Sequence, residues 1–126
     1  MNEKYLFRGK NDGDWVYGDL IYSVNENQHY IIERTENALS FPVDEDSVGE
    51  FTGRLDKHGT KIFSGDLVFF CNANHDEEDG AMTIQYKDGK YFLVGDDLLV
   101  DLYECYDYEL EVVGNIIDNK GLENSI

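Results

Sequence analysis

The chain has 126 residues, 41% of them hydrophobic, with nine Tyr, seven Phe and one Trp; that fills the core of one domain and excludes wholesale disorder. At this length about two-thirds of the unfolded surface can be buried, so neither a disulfide nor a metal is required for stability. Asp and Glu total 27 against 10 Lys and Arg, a formal net charge of -17, and a field of that sign opposes direct binding to nucleic acid or to an anionic membrane.

The elements alternate like strands. The first is KYLFR at 4–8, followed by turn residues in NDGD. In WVYGDLIY at 15–22, Trp15, Tyr17, Asp19 and Ile21 share one face and Val16, Gly18, Leu20 and Tyr22 the other. Both faces carry apolar residues, so this strand is either buried on both sides or cut at Gly18-Asp19. Strands are expected at 29–34, at 38–43 and at 47–53, and Pro42 makes the second of these an edge strand or its end.

A turn is expected at 56–61, where Gly59 supplies the left-handed conformation. A bend at Gly65-Asp66 precedes the apolar run Leu67 to Cys71, and the acidic loop NHDEEDG follows. Strands at 81–87 and 91–95 flank Asp88-Gly89, the clearest hairpin signal in the chain. Leu98, Leu99, Leu102 and Tyr106 fall at helical spacing behind Asp96 and Asp97, so 96–106 is expected to form a short helix or a loop with one turn. A last strand over 109–118 leads to a polar tail at 119–126. Gly-Asp-Leu occurs at both 18–20 and 65–67, too short an echo to define a repeat.

Cys71 and Cys105 stand beside aromatic residues, far apart and outside any C-x-x-C pair; they read as small apolar fillers in a reducing compartment. Asn2, Glu3 and Lys4 interrupt any apolar start, and no stretch approaches the roughly 20 apolar residues of a membrane span, so a cytoplasmic location is expected.

Candidate chemistry is sparse. The loop Asn74 to Asp79 is rich in carboxylates, which suit a hard cation, but Glu77 stands where a calcium loop needs Gly, and Thr83 where it needs Glu. It reads as a solvated loop. Asp19, Asp66 and Glu109 are possible acid-base carboxylates only if a cleft brings them together. Ser64-Gly65-Asp66 lacks the flanking glycine of a nucleophile elbow. His58 and His75 are expected exposed in turns and His29 at a strand start, with no metal-ligand spacing among them. Arg8 with Lys10, Arg54 with Lys57, and Lys87 with Lys90 are thin pairs and make no basic patch. Tyr103, Tyr106 and Tyr108 are expected to fill a core, or alternatively to form a protein-interaction surface. No catalytic residue, metal ligand or cofactor site is assigned.

The segment Gly49 to Val68, GEFTGRLDKHGTKIFSGDLV, resembles the signature of the YopX family of small bacteriophage and prophage proteins. The elements that carry the resemblance are Gly49-Glu50-Phe51-Thr52-Gly53, Asp56-Lys57-His58-Gly59 and Ile62-Phe63-Ser64-Gly65-Asp66-Leu67-Val68. Trp15-Val16-Tyr17-Gly18 and Val113-Gly114-Asn115-Ile116 agree with the family's early strand and its ending. Two departures stand out: Ser64 replaces a common Glu, and Asn119-Lys120-Gly121 replaces an acidic tail containing Pro.

The resemblance implies a mainly β phage or prophage accessory protein assembled as a homo-oligomer, with no activity or catalytic residue to carry over. Gly53, Gly59 and Gly65 sit at chain turns, and Asp56 and Asp66 are placed to accept bonds from turn amides. The expected architecture is one mostly β domain over 1–126 with strongly bent antiparallel strands. It has a hairpin half at about 1–55 and a barrel-like half at about 56–118, with a small Src-homology-3-like barrel in 60–117 by analogy.

The expected mode of action is protein-protein interaction, with itself and with a host or phage protein. The Pro42 strand and the Leu98 to Tyr106 segment are the expected subunit contacts. A metal-assisted or acid-base hydrolase using the acidic loop, and an acidic nucleic-acid mimic that binds a host DNA-binding protein, are the alternatives from other classes.

Overall fold

The computed structural model describes residues 6–119. Among these the chain is mostly β, in two antiparallel sheets, with single-turn 3-10 segments and no α-helix. Among the described residues no helix is long and apolar enough to cross a membrane. The chain divides into two compact units, one up to Phe51 and one from Thr52 onward.

In the first unit β1 (Phe7–Asn11), β2 (Asp14–Ser23), β3 (Gln28–Ile32) and β4 (Ser40–Val43) form a meander. The start of β5 (Gly49–Leu55) pairs on the other side of β1, giving the order β4-β3-β2-β1-β5. Of the strand expected at 4–8, Lys4 and Tyr5 lie outside the described residues. Pro42 falls on β4, the edge strand, as its missing N–H requires.

β2 is not cut at Gly18-Asp19. It runs unbroken because a side chain at Gly18 would overlap the Ile32 carbonyl, and glycine lets the two backbones approach. The register puts Gly9, Gly18, Ile31 and Val43 on one face, where Ile31 and Val43 are buried. The other face carries Arg8 and Lys10 over the Trp15 ring, at 4.5 and 4.8 Å from its centroid.

The second unit takes up the rest of β5, which pairs with β6 (Lys61–Phe63). It then forms a five-stranded sheet from β7 (Asp66–Phe70), β8 (Met82–Lys87), β9 (Lys90–Val94), β10 (Leu99–Asp101) and β11 (Leu110–Asn115). The strand order is β10-β9-β8-β7-β11, with β10 and β11 as its edges, so no closed barrel is found among the described residues. Asp88 and Gly89 both have positive φ and close the β8–β9 hairpin, as the Asp-Gly pair predicts. The core is one apolar cluster that includes Ile62, Val68, Ile84, Leu93, Leu102 and Leu110. Each such side chain contributes roughly 1.5–3 kcal/mol on burial.

Of the two forms expected over 96–106, a short helix or a loop with one turn, the helix does not form. Leu99–Asp101 is strand β10, paired with Phe92 to Val94, and Leu102–Glu104 is one 3-10 turn. The helical stripe fails because two of its members, Leu99 and Tyr106, are exposed, while strand pairing and Leu102 take the core. The last strand also stops early, at Asn115 rather than 118. There the Asn115 side chain accepts from the amides of Ile117 and Asp118 and turns the chain. Most of the tail at 119–126 lies outside the described residues.

Candidate functional site

The family-like signature serves as scaffold. Asp56 is buried and its carboxylate accepts from the amides of His58, Thr60 and Val112, all at 2.9 Å. Burial pushes this carboxyl up, but the three amides and the nearby His58 outweigh it and hold the group below its ordinary value. Asp66, also buried, accepts from the Phe63 amide at 2.7 Å and fixes the bend before β7. Both acids do what the turn chemistry led us to expect. Asp66 and the other proposed acid-base carboxylates are each engaged within their own unit. Asp19 pairs with Arg34 at 2.8 Å, and Glu109 accepts from the Tyr106 amide.

The acidic loop is similarly occupied by its own backbone. Asn72 accepts from the amides of Asn74 and His75, Asp76 from Glu78, and Asp79 from Asp76. No group of three or more potential metal ligands occurs among the described residues. His75 is half-buried rather than exposed, stacked on Phe70 at 5.2 Å and 3.4 Å from Asp79. His58 is exposed, as expected, and lies 3.3 Å from Glu111. Cys105 belongs to the core and its thiol is pushed up to about 11 by burial, then by Glu109. Burial and Glu77 likewise raise the half-buried Cys71 thiol. Neither is poised as a nucleophile at neutral pH.

The chemistry-bearing surface of the second unit is a groove of about 620 Å³. One wall is the β5 stretch from Thr52 to Arg54, a second is Gly89 to Tyr91, and a third runs from Asp101 to Glu104. Arg54 organises it. Its guanidinium donates to the Leu102 carbonyl at 2.7 Å, to the Cys105 carbonyl at 2.5 Å and to Asp107 at 2.8 Å. The Leu102 carbonyl also accepts from the Cys105 amide at 3.1 Å, the bond that closes the 3-10 turn, so Arg54 braces that turn at both ends. On the opposite wall Lys90 reaches Asp101 at 3.3 Å, while the other Asp101 oxygen accepts from the Tyr103 amide and starts that turn.

The turn that Arg54 clasps leads into three exposed tyrosines. Tyr103, Tyr106 and Tyr108 are 88%, 63% and 72% exposed, so they do not fill a core. The Tyr106 and Tyr108 rings stack at 5.3 Å. The reason is local: Leu102 and Cys105 take the inward positions of the turn, which leaves the tyrosines outward. Sequence reasoning missed the role of Arg54, which it grouped with Lys57. The two diverge, Arg54 to Asp107 and Lys57 to Glu111, because they stand on either side of the Asp56 turn.

No curated protein matches the sequence closely enough to count as a relative. A family model described as YopX protein does match the chain. It covers residues 6–122 and so takes in both units, the Asp56 and Asp66 turns and all three walls of the groove: the chain belongs to the YopX family.

Proposed function

We propose that this YopX-family chain is a phage or prophage accessory protein that acts in the host cytoplasm by protein-protein contact, assembled as a homo-oligomer. The observation that carries the reading is the exposed tyrosine set, Tyr103, Tyr106 and Tyr108, held on braced turns. Tyrosine supplies large, rigid, amphipathic contact area at low entropic cost and is enriched in interface cores. Leu99, 58% exposed on the edge strand β10, extends the same segment. Arg54, Asp101 and Glu109 fix the turns, so little ordering remains to oppose association.

The five-stranded sheet supports an open Src-homology-3-like reading of residues 60–117. Its strands run as a meander from β7 to β10, two 3-10 turns follow, and β11 returns beside β7. Domains of that kind act by binding other proteins, which agrees with the tyrosine surface, though fold analogy alone assigns no partner.

Light scattering at low salt and at about 1 M salt, where charge interactions are screened, tests the assembly. A discrete multimer at both, converted to monomer by the joint change Tyr103→Ser, Tyr106→Ser and Tyr108→Ser with the circular dichroism unchanged, is the expected result. A monomer under all conditions overturns it.

A further inference from the structure

We infer that the outer edge of β10 takes up an extended segment of a partner protein as an added strand, apolar at its centre and carrying Lys or Arg at both ends. This deepens the protein-binding reading above and rests on it for the class of partner, but not on self-association.

The strand edges of the chain are not alike. On β4, Pro42 has no N–H to offer, and its carbonyl accepts from the Asn11 side chain at 2.8 Å. On β6 the Phe63 amide donates to Asp66. On β11 the Asp56 turn covers the outward groups: the Leu110 carbonyl accepts from the Lys57 amide and the Val112 amide donates to Asp56, both at 2.9 Å. β10 has no such cover. The Gly95 amide donates to the Leu98 carbonyl at 2.8 Å and Val100 stands opposite Leu93. The alternation of an antiparallel ladder then turns the backbone groups of Leu99 and Asp101 away from β9. The Asp101 carbonyl is met by the Cys105 thiol at 3.6 Å. The Leu99 N–H, the Leu99 C=O and the Asp101 N–H have no bond to another described residue. Open groups in line along a sheet edge are what an added strand pairs with.

The side chains select the occupant. Val100 packs against the apolar cluster, so alternation places Leu99 on the other face, where it is 58% exposed and takes an apolar neighbour. Asp96 and Asp97 precede the strand and Glu104 follows it; their side chains are exposed, with no hydrogen bond or ion pair to another described residue. Lys90, on the neighbouring strand, is already held by Asp101 at 3.3 Å. The edge therefore has an apolar centre and unbalanced negative charge at both ends, which draws in a segment of the opposite pattern. A second copy fits badly, because two antiparallel β10 strands bring Asp96 and Asp97 of each toward Glu104 of the other. Strand addition also leaves the tyrosines to assembly: it takes place in the plane of the sheet, while Tyr103, Tyr106 and Tyr108 stand on the turns beyond it.

The test is a titration of the isotope-labelled full chain with an eight-residue synthetic peptide, an alternating Val-Thr centre between Lys pairs, read by amide chemical shifts and hydrogen exchange. Shifts are expected at Leu99, Val100 and Asp101. Exchange of the Leu99 and Asp101 amides should slow about tenfold or more at saturation, since each then donates to the added strand. The same peptide N-methylated at alternate residues keeps its side chains but cannot complete the ladder, and should bind about tenfold more weakly or worse. Glu in place of the peptide's Lys should cost as much. The joint change Asp96→Lys, Asp97→Lys and Glu104→Lys, all exposed and outside the core, should weaken the Lys peptide about tenfold. The inference is overturned if the Leu99 and Asp101 amides are unaffected at about 1 mM peptide, a concentration that reveals even a weak complex. It is equally overturned if the N-methylated or the Glu peptide binds as well, or if those two amides gain protection with protein concentration alone, which would make a second copy the occupant. Light scattering on the same samples separates the two readings. A monomer that takes up the Lys peptide overturns the assembly and leaves this inference standing, and a multimer whose β10 amides ignore the peptide does the reverse.

Discussion

The two units of this chain are both antiparallel β-structure but are held together differently. In the second, a contiguous apolar cluster runs from Ile62 to Leu110, and the turns around it are tied by the buried carboxylates Asp56 and Asp66. In the first, Ile31 and Val43 are the buried hydrophobic residues among those described, while Ile21, Tyr22, Val24 and Leu39 stay exposed. The first unit therefore leans on strand pairing and on contacts such as the buried Arg8 and half-buried Lys10 over Trp15. Backbone pairing alone is weak support for a sheet, which gains stability by burying a face. The unit with the contiguous apolar cluster is also the one that carries the braced groove and the exposed tyrosines.

The largest effect that could break this contrast is a cavity in each unit. Leu93→Ala empties a fully buried site on β9, between two partner strands, and should cost about 4 kcal/mol. Ile31→Ala removes a similar volume from the first unit, but its thinner surroundings can collapse, so about 2 kcal/mol is expected. Urea unfolding of both variants measures the difference. If Ile31→Ala costs as much as Leu93→Ala, the first unit has a core of equal quality and the contrast fails.

What was legible in the sequence follows the same division. Period-two alternation exposed the strands, and local chemistry exposed the Asp88-Gly89 hairpin, the Pro42 edge and the Asp56 and Asp66 turns, since each depends on residues close in sequence. The groove was not legible, because the contact between Arg54 and the turn ending at Cys105 spans some fifty positions and has no local signal. The segment 96–106 misled for a related reason. Leucines at helical spacing also suit a short strand followed by a turn, and only the pairing of Leu99 to Asp101 with β9 decides between them. Of the two uses expected for the tyrosines, core filling fails because Leu102 and Cys105 occupy the inward positions.

A smaller effect sharpens the account of the second unit. In Asp56→Asn one side-chain oxygen can still accept from His58 and Thr60, but the amide nitrogen would face the Val112 N–H, donor against donor. The loss should be about 3 kcal/mol, the scale for a buried donor left unsatisfied together with a charge-assisted bond. The acid has a second signature. Its folded carboxyl lies below the unfolded value, so its contribution is fully present above the unfolded value and is lost as pH falls through the folded one. The urea midpoint of the wild type should hold above about pH 5 and drop below about pH 4, and the difference between wild type and Asp56→Asn should shrink over that drop. A difference that stays constant through the acid range would mean that the three amides do not depend on the charge.

The smallest effect reads the contrast without any substitution. Native-state hydrogen exchange reports the free energy of each local opening, from fraying edges up to global unfolding. The paired amides of β8 and β9 lie over the apolar cluster and should exchange only on global unfolding. Those of β3 and β4 include the edge strand interrupted by Pro42 and cover a face whose buried members are Ile31 and Val43. They should exchange through local opening at a free energy about 2 kcal/mol lower, close to thirtyfold in protection. If the oligomer forms through the tyrosine segment of the second unit, raising protein concentration should leave this gap unchanged or widen it, because assembly stabilises the unit that carries the interface. A gap that closes at high concentration would instead place the assembly contact on the β3–β4 edge, and the Pro42 strand would then replace the tyrosines as the subunit interface.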